Sequence, residues 1–421
     1  MWEICLTSRI AGKINPGLNL IHHMKILYLT KTVVGRHGYY RNISLAKGLV
    51  KMGHEVSLIA SSPTSEGGVD DDHGVSVITF PDKSSARIKK GGLSFIDVLS
   101  RMKFLKNRQF DVVMVDSGFR PVTGIPGHWY SRRNNVPYVC EWWDWLGKGG
   151  LHDRKSRIYQ KTLGLLDNIF EEKDKLYADG VVPLSEKLKG RGLKLGIPED
   201  RMIILHGGAD LSLCEAADRD CARDRIGIPR EANVVGFAGL DGQEVQDLLP
   251  FLEAIPELKR QIPNFRWFST GGAISPELRK KFGIGEEYIE FGWVSYEDYR
   301  NCLASADVLL LFQEHNLINE ARWPNKLGDY LAAGKPVLAT PVGEVVSFAG
   351  QYPNHGLCFT EWMSDEVVSS LVNLFADRSR MTHIGQLNRR IALKDFSWDN
   401  RAFELSGFLE RIRGMGRRKQ S

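Results

Sequence analysis

The chain has 421 residues, a formal net charge of +5, and 43% hydrophobic and 25% charged residues. That length exceeds one ordinary core and asks for two or three domains; the composition is that of a globular protein, and the slight charge excess gives no reason to expect nucleic acid as a partner. No apolar run approaches the ~20 residues that span a bilayer, and six scattered cysteines with no CxxC pair fit reduced thiols in a cytoplasmic protein, not a disulfide frame or a metal site.

Residues 1–23 lack the charged start and continuous apolar stretch of a signal peptide and read as an extension without a fold of its own. Met24 opens MKILYLT, the first of a series of short buried strands: KILYLT, HEVSLIA, DVVMV, VPYVCE, GVVPLS and MIILH. Between the first two lie a glycine loop (Gly35, Arg36, His37, Gly38) and a helix whose apolar face is Ile43, Leu45, Ala46, Leu49 and Val50, stopped at Gly53. Strand, helix, strand in this order predicts a parallel sheet with helices on both faces. The run Asp70-Asp71-Asp72 reads as a solvated polar loop.

A polar, charged stretch at 211–230 reads as a linker. NVVGFAG then opens a second series, continued by FRWFSTG, YIEFGWV, DVLLLF, KPVLAT and GLCFT. The expected fold is therefore α/β, with two tandem doubly wound, Rossmann-like domains at 24–210 and 231–395 facing across a cleft. A C-terminal helix and basic tail follow at 396–421, with Phe403, Leu405, Phe408 and Leu409 as the helix's apolar face. The carboxyl ends of such sheets are where ligands bind.

The segment NEARWPNKLGDYLAAGKPV breaks a local rule. Pro324 reads as the start of a helix and Gly334-Lys335-Pro336 as its stop, so Arg322 and Lys326 add positive charge at the positive end of the macrodipole. A diphosphate would relieve that repulsion, using free N–H groups, an Arg fork and a Lys point charge, with Asn325 beside them. The ordinary reading is a pair of surface ion pairs, Arg322 with Glu320 and Lys326 with Asp329 or Tyr330. Asp329, one turn on, is placed to accept hydrogen bonds from a ribose diol, or is a solvated helix Asp. In EWWDWLGKGG, Glu141 and Asp144 follow a strand end and are candidates for contact with an acceptor hydroxyl or a leaving sugar. The three tryptophans there are either a sugar-stacking wall or core residues. His206 ends a strand at the same cleft or caps the core.

DYLAAGKPVLAT, led in by Asp307-Val308, resembles the donor-site region of the retaining, nucleotide-sugar-dependent "group 1" glycosyltransferases of GT-B fold. MKILYLT with its glycine loop, LAKGLVKMGHEVSLIA, ADGVVPLSEKLK with HGGAD, IEFGWVSYEDYRNCLASADVLLL and the late FSW match the same family in order and spacing. The resemblance implies transfer of a sugar from a nucleoside diphosphate sugar (UDP- or GDP-linked), as co-substrate, to a glycan, lipid-linked or small acceptor; no Asp-x-Asp motif stands in a metal-holding context, so neither a metal nor another cofactor is expected. It implies that Asp329 binds the donor ribose, that Arg322 and Lys326 neutralise the diphosphate, and that Gly292 and Trp293 touch the base. Asn316, Asn319 and Glu320 stand where the sugar hydroxyls would be read, and Gly35, His37 and Gly38 near donor phosphate and acceptor; loop capping is the plain alternative for the two asparagines.

Three departures from the family stand out. Ala321 occupies the place of its first glutamate, with Glu320 one residue off. The acidic Gly239-Leu240-Asp241-Gly242-Gln243-Glu244 replaces a basic pair, and Trp143 stands where a His often precedes Asp144. The rival readings are a nucleotide-sugar epimerase or hydrolase of the same fold and a non-catalytic nucleotide- or glycan-binding relative. Basic clusters at Lys89-Lys90, Arg101 to Arg108, Lys187 to Lys194 and Arg411 to Lys419 read as solvated faces, or as peripheral contact with an anionic membrane or an anionic acceptor.

Overall fold

The computed structural model describes residues 22–36, 38–81, 92–215, 218–241 and 244–417. His37 and all but His22 and His23 of the expected extension lie outside them. The first sheet holds β1 (Lys25–Val33), β2 (Glu55–Ser62), β3 (Gly68–Asp72), β4 (Val75–Pro81), β5 (Val112–Val115), β6 (Tyr138–Trp142) and β7 (Gly180–Pro183). Their order is β3-β4-β2-β1-β5-β6-β7, parallel except where β3 meets β4. The second sheet, all parallel, holds β8 (Asn233–Leu240), β9 (Phe265–Gly271), β10 (Tyr288–Gly292), β11 (Val308–Leu311), β12 (Val337–Ala339) and β13 (Leu357–Phe359), in the order β10-β9-β8-β11-β12-β13. Strands such as VVMV are buried on both faces, as helices on both sides of a parallel sheet require.

Strand order reverses between β1 and β5 in the first sheet and between β8 and β11 in the second. Loops leave these points in opposite directions and open a crevice at the carboxyl edge.

Three expectations need correction. Asp70-Asp71-Asp72 is not a loop but the exposed edge strand β3, joined to β4 through His73 (φ 55°) and Gly74 (φ 83°). Two positive φ angles suit a tight hairpin, and carboxylates on an edge discourage further pairing. MIILH is not a strand: it makes one isolated bridge, Met202 to Val181, before leaving the sheet. Phe403 faces solvent, while Leu405, Phe408, Leu409 and Ile412 of the final helix (Trp398–Met415) are buried.

That helix returns from the second half to pack on the first, where its apolar face joins Ile43, Leu45 and Leu49 of the helix Tyr39–Lys51. The approach is close: a Cβ on Gly48 would lie 2.4 Å from that of Ala402. The stretch read as a linker contains the helix Arg219–Ile226, whose Arg223 is fully buried and bonds Asp307 at 2.8 Å, tying it to the second half.

The chain crosses between halves at His206–Asp210 and again at Phe396–Trp398. The two crossings are bonded, Ala209 N donating to Phe396 O at 2.6 Å. The first one threads past the helix Lys326–Ala332 so closely that a Cβ on Gly328 would lie 2.6 Å from Gly208 O. In an ordinary helix Gly→Ala gains up to ~1 kcal/mol. Here Gly328→Ala is expected to destabilise by ~1–3 kcal/mol, since backbone must move; thermal unfolding would read the sign.

Candidate active site

The carboxyl ends of β1, β5 and β6 supply Lys31, Thr32, Asp116, Ser117, Trp143 and Asp144. With Gly38 on one side and Trp323 and Asn325 of the second half on the other, they line a cavity of about 280 Å3. Gly38 (φ 81°) starts the helix Tyr39–Lys51, and a Cβ there would lie 2.9 Å from both Thr32 Cγ2 and Trp143 Cζ3. Only glycine lets the helix start approach the tryptophan. Gly35 also has positive φ (75°), in open space.

The cavity is electrostatically mixed. Asp116 is buried, accepts from the Thr30 hydroxyl, and is pushed by burial to a pKa of about 6. Lys31 is lowered by burial while Asp116 opposes that shift. Burial raises Asp144, against the pull of Arg322 first and Lys31 second. A cation of the second half thus acts on a carboxylate of the first across the cleft. Glu141 lies inside β6, fully buried, its carboxylate bonded to Tyr28 and paired with Arg41 at 2.8 Å; Arg41 in turn holds the Leu205 and His206 carbonyls. Glu141 secures the crossing segment and, with Arg41 and Trp142, also forms part of the cavity wall. Of the three tryptophans, Trp142 is core, while Trp143 and Trp145 are half-buried.

On the facing half, the expected loop Gln313–Trp323 contains a short helix, Leu317–Ala321, and the next helix begins at Lys326, not Pro324, with Asn325 at its N-cap. Asn316 caps the short helix, accepting from Asn319 N at 3.0 Å. Asn319 is buried and donates to Asp247 and to the Glu314 carbonyl, each at 2.8 Å. Arg322 pairs with Asp247 at 3.0 Å, not with Glu320. Glu320 instead reaches Lys187 of the first half at 2.6 Å and His315 at 2.9 Å, and the Lys187 bond lowers its pKa.

The sequence reading missed Asp247, and also Lys31, Thr32, Asp116 and Ser117 of the cavity wall. Buried, Asp247 gathers Glu314 N, Asn319 and Arg322 on one carboxylate. The only signal was its place three residues beyond the acidic stretch Gly239 to Glu244, where the family has a basic pair.

Lys326 places its ammonium 4.0 Å from the centroid of the Phe237 ring and its stem 3.6 Å from where a Gly239 Cβ would be. It therefore sits at the carboxyl end of β8, at the switch point. One turn on, Asp329 accepts from the Tyr299 hydroxyl at 2.8 Å. Burial and neighbouring Asp210 push its pKa up to about 7, against the Tyr299 bond. Tyr296 is hydrogen-bonded to Asp210 and Ser212, and the turn just before its helix carries Gly292 (φ 65°) and Trp293, which is 73% exposed. His206 stacks on Trp323 at 4.2 Å and meets Glu344 at 2.8 Å, within the contact between halves. Among the described residues no three His, Cys, Asp or Glu side chains are grouped to hold a metal ion.

The raised Asp329 has a signed consequence. Above about pH 4 the unfolded chain has lost this proton, whereas the folded chain keeps it until about pH 7. Its contribution to stability therefore falls across that window as pH rises and is level beyond it. Asp329→Asn is expected to flatten the fall in Tm between those two pH values, which parallel melts of both proteins would show.

The family model for Glycosyltransferase Family 4 matches residues 41–213, and that for Glycosyl transferases group 1 matches 232–377. A D-inositol 3-phosphate glycosyltransferase of Mycobacterium leprae is 24% identical over 210 residues, 47% of this chain and 46% of the relative. The chain thus matches less than half the length of the curated relatives. Sucrose-phosphate synthase from Thermosynechococcus elongatus superposes with a TM-score of 0.70 at 14% identity, covering 93% of this chain and 100% of that one. Anabaena Alr3699/HepE in complex with UDP-glucose does so at 0.65 and 16%, covering 92% and 100%. These solved structures have the GT-B arrangement of two Rossmann-like domains, and the present fold shares it.

Proposed function

We propose, from the premise that the chain belongs to the group 1 glycosyltransferases, that it moves a sugar from a nucleoside diphosphate sugar to a hydroxyl of a glycan, lipid-linked or small acceptor. The observation that carries this reading is one ordered series on the second half. Trp293 and Gly292 stand at an exposed edge, Asp329 follows, then Lys326 at the β8 switch point, then Arg322 facing Asp144 over the cavity. Base, ribose, diphosphate and sugar fit that series in that order. A uridine nucleotide is favoured by likeness to the UDP-glucose complex of HepE, with GDP as the second choice.

In the reaction, the bond from the anomeric carbon to the phosphate oxygen breaks and the acceptor oxygen takes its place. The hydroxyl proton passes to the Asp144 carboxylate, and negative charge gathers on the departing diphosphate. Arg322 and Lys326 meet that charge, the kind of fixed electrostatic stabilisation that dominates such steps. Asp247 holds Arg322 in place beforehand, so little reorganisation is needed. Retention of configuration belongs to the same proposal and rests on the family.

Nucleoside diphosphate release from UDP- and GDP-sugars, measured with and without an acceptor pool, tests the reading. Release that requires acceptor supports transfer. Release at the same rate from donor alone would identify an epimerase or hydrolase, and nucleotide binding without any release a non-catalytic relative.

A further inference from the structure

Three helices cover one face of the first sheet: Phe95–Leu105, Pro121–Asn134 and Leu163–Tyr177. The first two pack together. The second is tied to the third by Arg120 to Asp167 at 3.3 Å and His128 to Asp174 at 3.1 Å. All three start at the carboxyl edge of the sheet, beside the cavity, because each leads into the next strand of a parallel sheet.

Their solvent sides share one pattern. The halves nearer the cavity expose Phe95, Leu99, Ile125 and Leu165, with Leu99 at 66% and Leu165 at 55%, and the third helix continues the apolar strip to its middle with Ile169 and Phe170. The far ends carry exposed cations: Lys103 follows Leu99 by one turn, Lys173 follows Ile169 by one turn, and Arg133 follows Ile125 by two. Cations in a last helical turn are ordinary compensation of the dipole; large apolar side chains exposed at the other end of three adjacent helices are not. The nearby carboxylates do not oppose an anion, since Asp167 is paired with Arg120 and Glu172 with Arg191.

We infer that this face docks on an anionic lipid bilayer. The apolar ends enter the headgroup boundary at the mouth of the cavity, and the basic ends lie against acidic headgroups. No helix among the described residues is long and apolar enough to cross a membrane, so the contact is peripheral. The inference deepens the acceptor side of the function proposed above: a lipid-linked acceptor held in the bilayer would meet the cavity without leaving it.

The test is co-sedimentation of the full chain with phosphatidylcholine vesicles, alone or with about 30 mol% phosphatidylglycerol. The wild type is expected to bind the anionic vesicles and to release in high salt. Leu99→Glu/Ile169→Glu and Lys103→Glu/Lys173→Glu are each expected to partition at least ~10-fold less. Their melting temperature and nucleotide binding stay unchanged, because all four side chains are exposed. Equal binding to neutral vesicles, undiminished binding by both variants, or lipid-free self-association abolished by the same substitutions would overturn it, the last by assigning the face to a second copy. Nucleotide binding in lipid-free buffer separates failure of this inference from failure of the donor site.

Discussion

Arg322→Ala is expected to lower kcat/KM for the donor by ~10²–10³, the usual effect of deleting one fixed charge-stabilising donor from a transfer site. Three features of Arg322 point to a loss of this size. It is held by the buried Asp247 at 3.0 Å, it acts on Asp144 across the cleft, and no basic pair follows β8 to share its task. Arg322→Lys keeps the charge but loses the fork, so it recovers only part of the rate. Asp247→Asn keeps the guanidinium and loosens its anchor, and it should fall between wild type and Arg322→Ala. Steady-state kinetics on the three variants would give that ranking; an Asp247→Asn protein with wild-type kinetics would show that the anchor does not matter.

Asp307→Ala is expected to destabilise the protein by ~3–5 kcal/mol, the cost of leaving a buried ion pair with one partner. Asp307 lies just ahead of β11 and is nearly buried. It accepts from Arg223 at 2.8 Å, from Val234 N at 2.9 Å and from Arg378 at 2.9 Å. Removing it leaves the fully buried Arg223 guanidinium without its carboxylate, held only by the Ser305, Arg230 and Ala232 carbonyls. Arg223→Met should cost less, because Asp307 keeps Arg378, Arg219 and the Val234 amide and an apolar stem fills the space. Denaturant unfolding of the two variants would give the order. Equal costs would mean that Asp307 is valued for its shape and not for its charge.

Most strands were legible in the sequence as short apolar runs, whether covered on both faces like β5 or only in part like β10 and β13. VVMV, VLLL and NVVGFAG are runs that only a covered parallel strand explains, and β1, β2 and β5 to β13 lie where those runs are. β3 and β4 were not read: β3 is an edge strand that meets no apolar demand, so its three aspartates look like a loop, and its half-covered partner β4 (VSVITFP) was passed over with it. MIILH was over-read for the opposite reason: its apolar residues serve a chain leaving the sheet, where hydrophobicity persists but pairing does not. Pro324 gave a helix start two residues early, since proline suits the turn before a helix as well as its first residue.

At the site, the two cations misplaced by local rules led to the right stretch, but their partners were not legible. Arg322 pairs with Asp247, 75 residues away, and Lys326 stacks on Phe237. No local period encodes such contacts. Glu141 and Asp144, three residues apart and alike in sequence, have different surroundings. Both reach the cavity wall, but one is buried in a strand and neutralised by Arg41, while the other faces the cleft under the field of Arg322.

The most direct test of the account is thermal unfolding of wild type and an Arg322→Ala/Lys326→Ala variant against UDP, GDP, ADP, CMP and dTDP. A nucleotide at ~100 times its Kd stabilises by ~2.7 kcal/mol, a shift that a melt resolves. One diphosphate, UDP first, is expected to raise the melting temperature of the wild type and leave the variant unmoved. An equal shift in both proteins would place the diphosphate away from Arg322 and Lys326 and contradict this expectation.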